Sequence, residues 1–149
     1  MRGAALATTA VLAMAAGCGG GSPSPAPPPD QQQVRTTLRS FLTAQVHGEG
    51  AAACRLLDDA ARRRLAAVVR RTAGIAGSTC EDAVALVRAA APGALLRALD
   101  AAQIRDVVVR GDRASAVVAD AGAFPPQHVL LRRTGGTWQI DRVPTLLGG

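Results

Sequence analysis

Aromatic residues are almost missing from this chain of 149 residues: Phe41, Phe124 and Trp138 stand alone, and there is no Tyr. The core must therefore be built from Ala, Val, Leu and Ile, and large aromatic platforms for stacking sugars or bases are excluded. Lysine is absent as well. All 17 basic residues are Arg, set against 11 acids, for a formal net charge of +6. A basic chain can serve nucleic acid or an anionic surface. Here the arginines are scattered, several stand beside acids, and no aromatics interleave with them, so nucleic acid is not an expected partner. Cysteine is sparse, with only Cys18, Cys54 and Cys80. Their spacing is not that of a metal site, and no nucleophile–base pair or Gly-rich phosphate loop accompanies them. No metal, cofactor or catalytic residue is expected. No apolar run is long enough to span a bilayer as a helix. The longest, Ala4–Ala16, has 13 residues and is interrupted by Thr8 and Thr9.

That run follows a single charge, Arg2, and ends in the small residues Ala15-Ala16-Gly17 before Cys18. These are the proportions of a secretory leader. The arrangement resembles a bacterial lipoprotein signal with its lipobox, although Ala15 stands where that family prefers Leu. The Ala/Arg-rich, Lys-free bias is similar to that of high-GC actinobacterial proteins. The resemblance implies a signal peptide over residues 1–17 and acylation of Cys18, including palmitate-type chains. It places the protein on the cell membrane, lipid-anchored and facing away from the cytoplasm. Two or more acyl chains hold a protein on a membrane stably, where one holds it marginally. The other reading is a secreted protein cut after an Ala-x-Ala-like site, with Cys18 left as a free thiol. Residues 18–30 continue as GGGSPSPAPPPD after the cysteine, a Gly/Pro/Ser tether with a reach of about 35 Å. Residues 31–149 remain for a single domain.

The first half of that domain has helical periodicity. Asp30 and Gln33 form a capping pair ahead of Val34, Leu38, Phe41 and Leu42, and His47-Gly48-Glu49-Gly50 stops the helix. His47 is expected at the negative end of the helix dipole rather than on a metal. Ala51 to Arg71 reads as helix in one or two pieces, with Cys54, Leu57, Ala61, Leu65 and Val68 as its apolar stripe. Asp58–Arg62 and Asp59–Arg63 are spaced as ion pairs, so Arg62-Arg63-Arg64 is expected on a solvated face. Its sharper use is contact with anionic lipid or wall polymer. Ser78 and Glu81 form a capping box for a third helix to about Ala91, and Pro92 opens a short fourth.

Cys54 and Cys80 each lie on the apolar stripe of their helix. Outside the cytoplasm a buried pair of this kind is expected to be a disulfide. Two buried free thiols are the plainer alternative.

Beyond Gln103 the period shortens to that of strands. Segments 104–110, 113–120, 127–133 and 137–143 are separated by turn residues, which implies a four-stranded antiparallel meander. Trp138 and Ile140 share one face. The fold class is therefore α+β, with N-terminal helices packed on a C-terminal four-stranded antiparallel sheet.

Four segments carry a resemblance: Ala52-Ala53-Cys54-Arg55-Leu56-Leu57, Ser78-Thr79-Cys80-Glu81, Val109-Arg110-Gly111-Asp112-Arg113-Ala114, and Leu131 through Trp138 to Ile140. Together they are similar to the nuclear transport factor 2-like (cystatin-like) superfamily, and to small actinobacterial lipoproteins of that class. The resemblance implies a curved sheet wrapped on helices as a cone, with a pocket that Trp138 would wall. Enzymes of the superfamily place an acidic base and Tyr or Asp donors in the cone. This chain has no Tyr, and Asp106, Asp120 and His128 are expected at solvated strand ends. The reading is a non-catalytic extracytoplasmic module that binds an envelope protein or wall component. A homodimer is compatible with it if a sheet face is left open. The alternatives are a small-molecule binder using the cone, or an isomerase- or cyclase-like enzyme.

Overall fold

The computed structural model describes residues 28–142. The expected leader, Cys18 as the expected attachment site, the rest of the tether up to residue 27 and residues 143–149 lie outside the described residues. Five helices come first: α1 Pro29–His47, α2 Gly50–Arg55, α3 Asp59–Ala73, α4 Cys80–Ala90 and α5 Gly93–Asp100. Four strands follow: β1 Gln103–Arg110, β2 Arg113–Ala119, β3 Gln127–Thr134 and β4 Thr137–Arg142. They form one antiparallel meander in the order β1-β2-β3-β4, with the helices on one face. The α+β arrangement expected from the sequence is the one observed.

The helix starts differ from their expected caps. α1 is entered through Pro28, whose carbonyl accepts from the Gln32 N–H, with Pro29 at the first helical position. Prolines preset the helical φ there and sacrifice an N–H that has no partner in any case. Asp30 is thereby inside the first turn and does not cap it. The box at α4 lies one residue later than Ser78–Glu81. Thr79 is the cap and exchanges bonds with Asp82, while the Ser78 hydroxyl donates to the Ile75 carbonyl at 2.6 Å. Asp58 does not pair with Arg62. It caps α3 by accepting from the Ala61 N–H at 2.7 Å, and Arg62 turns to Asp59 at 2.6 Å.

The expected helix over 51–71 breaks at Leu56-Leu57-Asp58, and the break has a use. The Ile140 N–H donates to the Leu56 carbonyl at 2.8 Å, and the Asp58 N–H donates to the Ile140 carbonyl at 3.0 Å. The linker thus pairs in parallel with β4 through a Leu57–Ile140 bridge. It covers part of an edge strand that otherwise presents unpaired backbone groups.

α1 packs against α2, α4, α5, β1 and β4. Val34, Leu38, Phe41 and Leu42 meet Ile104, Ala116, Val129, Leu131, Trp138 and Ile140 in one buried cluster. Two arginines of α1 tie its side to the start of the sheet. Arg39 donates to the carbonyls of Asp100 (3.1 Å) and Ala102 (2.6 Å), and Arg35 donates to that of Ile104.

Cys54 and Cys80, 1% and 6% exposed, form a disulfide between α2 and the start of α4 with Cα atoms 6.1 Å apart. The two helices touch closely beside it. A Cβ placed on Gly50 would lie 3.1 Å from the Glu81 Cα.

Candidate site on the open sheet face

Alternation sorts the strands into two faces. Ile104, Val107, Ala114, Ala116, Val118, Val129, Leu131, Trp138 and Ile140 point into the helix-covered core. A bulge between Arg105 and Val108 keeps β1 in phase, with Asp106 in the left-handed region at φ 51.

The opposite face has no described helix over it. Its rows follow from the register. Arg105, Val117 and His128 lie side by side, then Val108, Ser115, Leu130 and Arg142, then Arg110, Arg113, Arg132 and Gln139. The last row sets three guanidinium side chains next to each other across three strands. Arg105, Arg110, Arg113, Arg132 and Arg142 are all exposed. The ion pairs among the described residues are Arg62–Asp59, Arg64–Asp141 and Arg133–Asp30, so none of those five takes part. Val108 and Leu130 are 44% and 39% exposed, among the few large apolar side chains so placed. With Arg110, Arg113, Ala114 and Ser115 they line a shallow open depression of about 310 Å³.

Local chemistry builds the three-arginine row. Gly111, at φ 61 in the two-residue link, lets β1 reverse so that Arg110 faces Arg113. Gly135 and Gly136, at φ 57 and 81, make the tight β3–β4 turn that the primed hairpin geometry requires. The longer β2–β3 loop is organised by Asp120, whose carboxylate accepts from the N–H groups of Gly122 (3.0 Å), Ala123 (2.8 Å) and Phe124 (3.2 Å). Desolvation opposes the charged form there, but the backbone donors together outweigh it and hold the carboxyl below its ordinary value. Asp82 is lowered as well, first by the Thr79 backbone N–H and then by its hydroxyl.

The other residues singled out in the sequence fall in separate places. Trp138 is 2% exposed and sits in the core; it does not line the depression. The Arg133 guanidinium lies over its ring at 4.6 Å from the centroid and reaches Asp30 at 2.7 Å. The buried donors Trp138 Nε1 and Arg133 Nε have no hydrogen-bond partner among the described residues. Asp106 is exposed at the bulge, Asp120 is committed to its loop, and His128 is exposed on the open face. Arg64 stays exposed, as expected, while it donates to the Asp141 carbonyl and lies 3.3 Å from its carboxylate. Among the described residues, no group of three or more His, Cys, Asp or Glu side chains is placed to hold a metal. No described helix is long and apolar enough to cross a membrane.

The row Arg110–Arg113–Arg132 was missed in the sequence. Half of its signal was present, because a two-residue turn between two arginines forces them to face each other. No protein-family model, curated protein or solved structure matches the chain.

Proposed function

We propose that this is a lipid-anchored extracytoplasmic protein, held at Cys18, whose single domain is a binding module and not an enzyme. Its working surface is the open face of the sheet, and its partner is a negatively charged component of the cell envelope. The observation that carries this reading is the cluster of exposed arginines without acid partners among the described residues, interleaved with Val108 and Leu130 on a face that no described helix covers. Like charges directly opposite one another across strands cost roughly 0.2–1 kcal/mol each. A fold that carries such a row gains from an anion that neutralises it. The acids that could have served catalysis are apart from one another, and Asp120 is taken up by backbone donors. The Cys54–Cys80 disulfide fits an oxidising compartment.

Mass spectrometry of the protein extracted from cell membranes tests the anchor. The N-terminal peptide is expected to begin at Cys18 and to carry acyl chains. An unmodified Cys18 thiol, or a chain that retains Met1, refutes it. Crosslinking from Arg113 replaced by a photoreactive residue tests the surface. Capture of one envelope component from this position, and not from Arg63 on α3, supports the reading.

A further inference from the structure

The end of the sheet where the chain enters the domain is also the end that carries the three-arginine row. Asp30, in the first turn of α1, bonds Arg133 at 2.7 Å. The same Arg133 guanidinium reaches the Gly111 carbonyl at 3.4 Å, and the Arg133 N–H donates to the Asp112 carbonyl at 2.7 Å. Arg133 therefore links the first helical turn to the β1–β2 turn, and Arg110 and Arg113 flank that turn in direct register with Arg132. Arg133 is neutralised by Asp30. Among the described residues Asp112 is the acid left at this end, against three arginines in no ion pair, so the end keeps a net positive charge.

We infer that the Arg110–Arg113–Arg132 row docks on the anionic phospholipid headgroups of the membrane that holds the anchor, turning the open sheet face toward the bilayer. The inference rests on acylation at Cys18. Ten residues, 19–28, lie between Cys18 and Pro29, so the two are at most about 40 Å apart along the chain. The row is at the entry end of the domain, so a tether of this length delivers it to the headgroups first. Basic side chains near an anionic surface each strengthen binding about fivefold, and three act in one plane here. Val108 and Leu130 in the adjacent row give the face apolar contact beside its charge, the pairing suited to a headgroup–acyl boundary. Of the α3 arginines, Arg62 and Arg64 are bound to Asp59 and Asp141, whereas Arg63, Arg70 and Arg71 are exposed and serve as the comparison below.

The test uses the full chain carrying Cys18→Ser, which cannot be acylated, with vesicles of phosphatidylcholine alone or mixed with phosphatidylglycerol. The apolar leader is common to every sample, so differences between vesicles and between variants isolate the row. Co-sedimentation is expected to favour the phosphatidylglycerol vesicles strongly. The preference should collapse when salt rises from about 0.05 to about 0.5 M, which shortens the screening length to about a third. R110Q/R113Q/R132Q is expected to lower binding about a hundredfold. R63Q/R70Q/R71Q removes the same charge from exposed positions of α3 and is expected to bind like the parent. Equal binding to both vesicles overturns the proposal, as does a triple row variant that binds undiminished, or an equal loss from the α3 variant. A dimer in sedimentation equilibrium that R113E dissociates also overturns it, by assigning the face to a second copy. An acylated Cys18 with no phosphatidylglycerol preference sinks the docking and leaves the anchor standing. A preference with an unmodified Cys18 sinks the anchor and leaves the charge recognition.

Discussion

Arg133 stacks on Trp138: the guanidinium carbon lies 4.6 Å from the indole centroid, and the two residues are direct partners across β3 and β4. The arginine completes its contacts outside the sheet, on Asp30. One side chain therefore joins the entry of the chain, the first turn of α1 and the only indole in the core. The ion pair is half exposed and worth at most about 1 kcal/mol. The stacking adds about 0.5–2 kcal/mol. Arg133→Met keeps the apolar stem and removes both, so it is expected to cost about 1–2 kcal/mol in urea unfolding. Trp138 is the sole Trp and there is no Tyr, so its emission reports the change directly. A variant with parental stability and unshifted emission contradicts this account.

The Cys54–Cys80 bridge closes a loop with a sequence separation of 26. Closing such a loop is worth about 3.5 kcal/mol in the chain-entropy model, a large part of what a domain this size can have. Cys54→Ser/Cys80→Ser is expected to lose that amount, plus a smaller penalty for hydroxyls placed at two buried positions. Denaturant unfolding with and without reductant checks it. A parental midpoint under full reduction would show that packing alone holds α2 on α4.

Gly50 is required by space and not by backbone angle. A Cβ there meets the Cα, Cβ and carbonyl oxygen of Glu81 at 3.1, 3.1 and 3.2 Å. Two of those atoms are backbone and cannot swing aside. Gly50→Val is expected to push α2 off the start of α4 and to cost about 1–3 kcal/mol, as overpacking does. Gly74, with open space around it, gives no comparable clash. A thermal melt of the two valine variants separates crowding from the strain of a positive φ.

Acid should destabilise the fold partly through the cap of α4 and the β2–β3 loop. Asp82 and Asp120 are both held below their ordinary carboxyl value of 3.8. A lowered folded-state value contributes stability that is complete above the unfolded value and is lost as pH falls through the folded one. The expected loss therefore begins below about pH 4 and continues downward. Asp120→Asn removes its share of the slope, so the variant's melting temperature should fall less steeply from about pH 4 to about pH 2. An unchanged slope would show that the loop's N–H groups gain nothing from the charge.

How far the sequence carries is clearest at particular positions. The meander was legible because the apolar period shortens at Gln103 and each turn has Gly or Pro. The disulfide was legible because both cysteines lie on apolar stripes. The cap of α4 was read one residue early because Ser78 and Thr79 are equally good caps, each with an acid three positions on. Only the Ile75 carbonyl, which takes the Ser78 hydroxyl, decides between them. The break in the second helical stretch was half legible, since propensity alone would let 51–71 run on. The Ile140 backbone, distant in sequence, captures Leu56 and Asp58. The arginine row was hidden for the same reason. Arg110 and Arg113 face each other through a local turn, but Arg132 joins them only through the β2–β3 register, which the Asp120 loop sets.

That row makes the last prediction, because it separates stability from function. Arg113 has Arg110 on one side and Arg132 on the other in direct register. No acid pairs with any of the three among the described residues. Arg113→Thr removes both like-charge neighbours at once and puts a good strand former in a central strand. It is expected to raise stability by about 0.5–1 kcal/mol, a rise of roughly 2–6 °C in melting temperature. The gain should shrink at high salt, because screening already relieves the parent's repulsion. The same substitution should weaken binding to an anionic surface. Substitutions that stabilise a fold while lowering its function mark positions kept for the function. A destabilised Arg113→Thr would instead mean that the arginine stems pack usefully on the sheet, and the row would be structural.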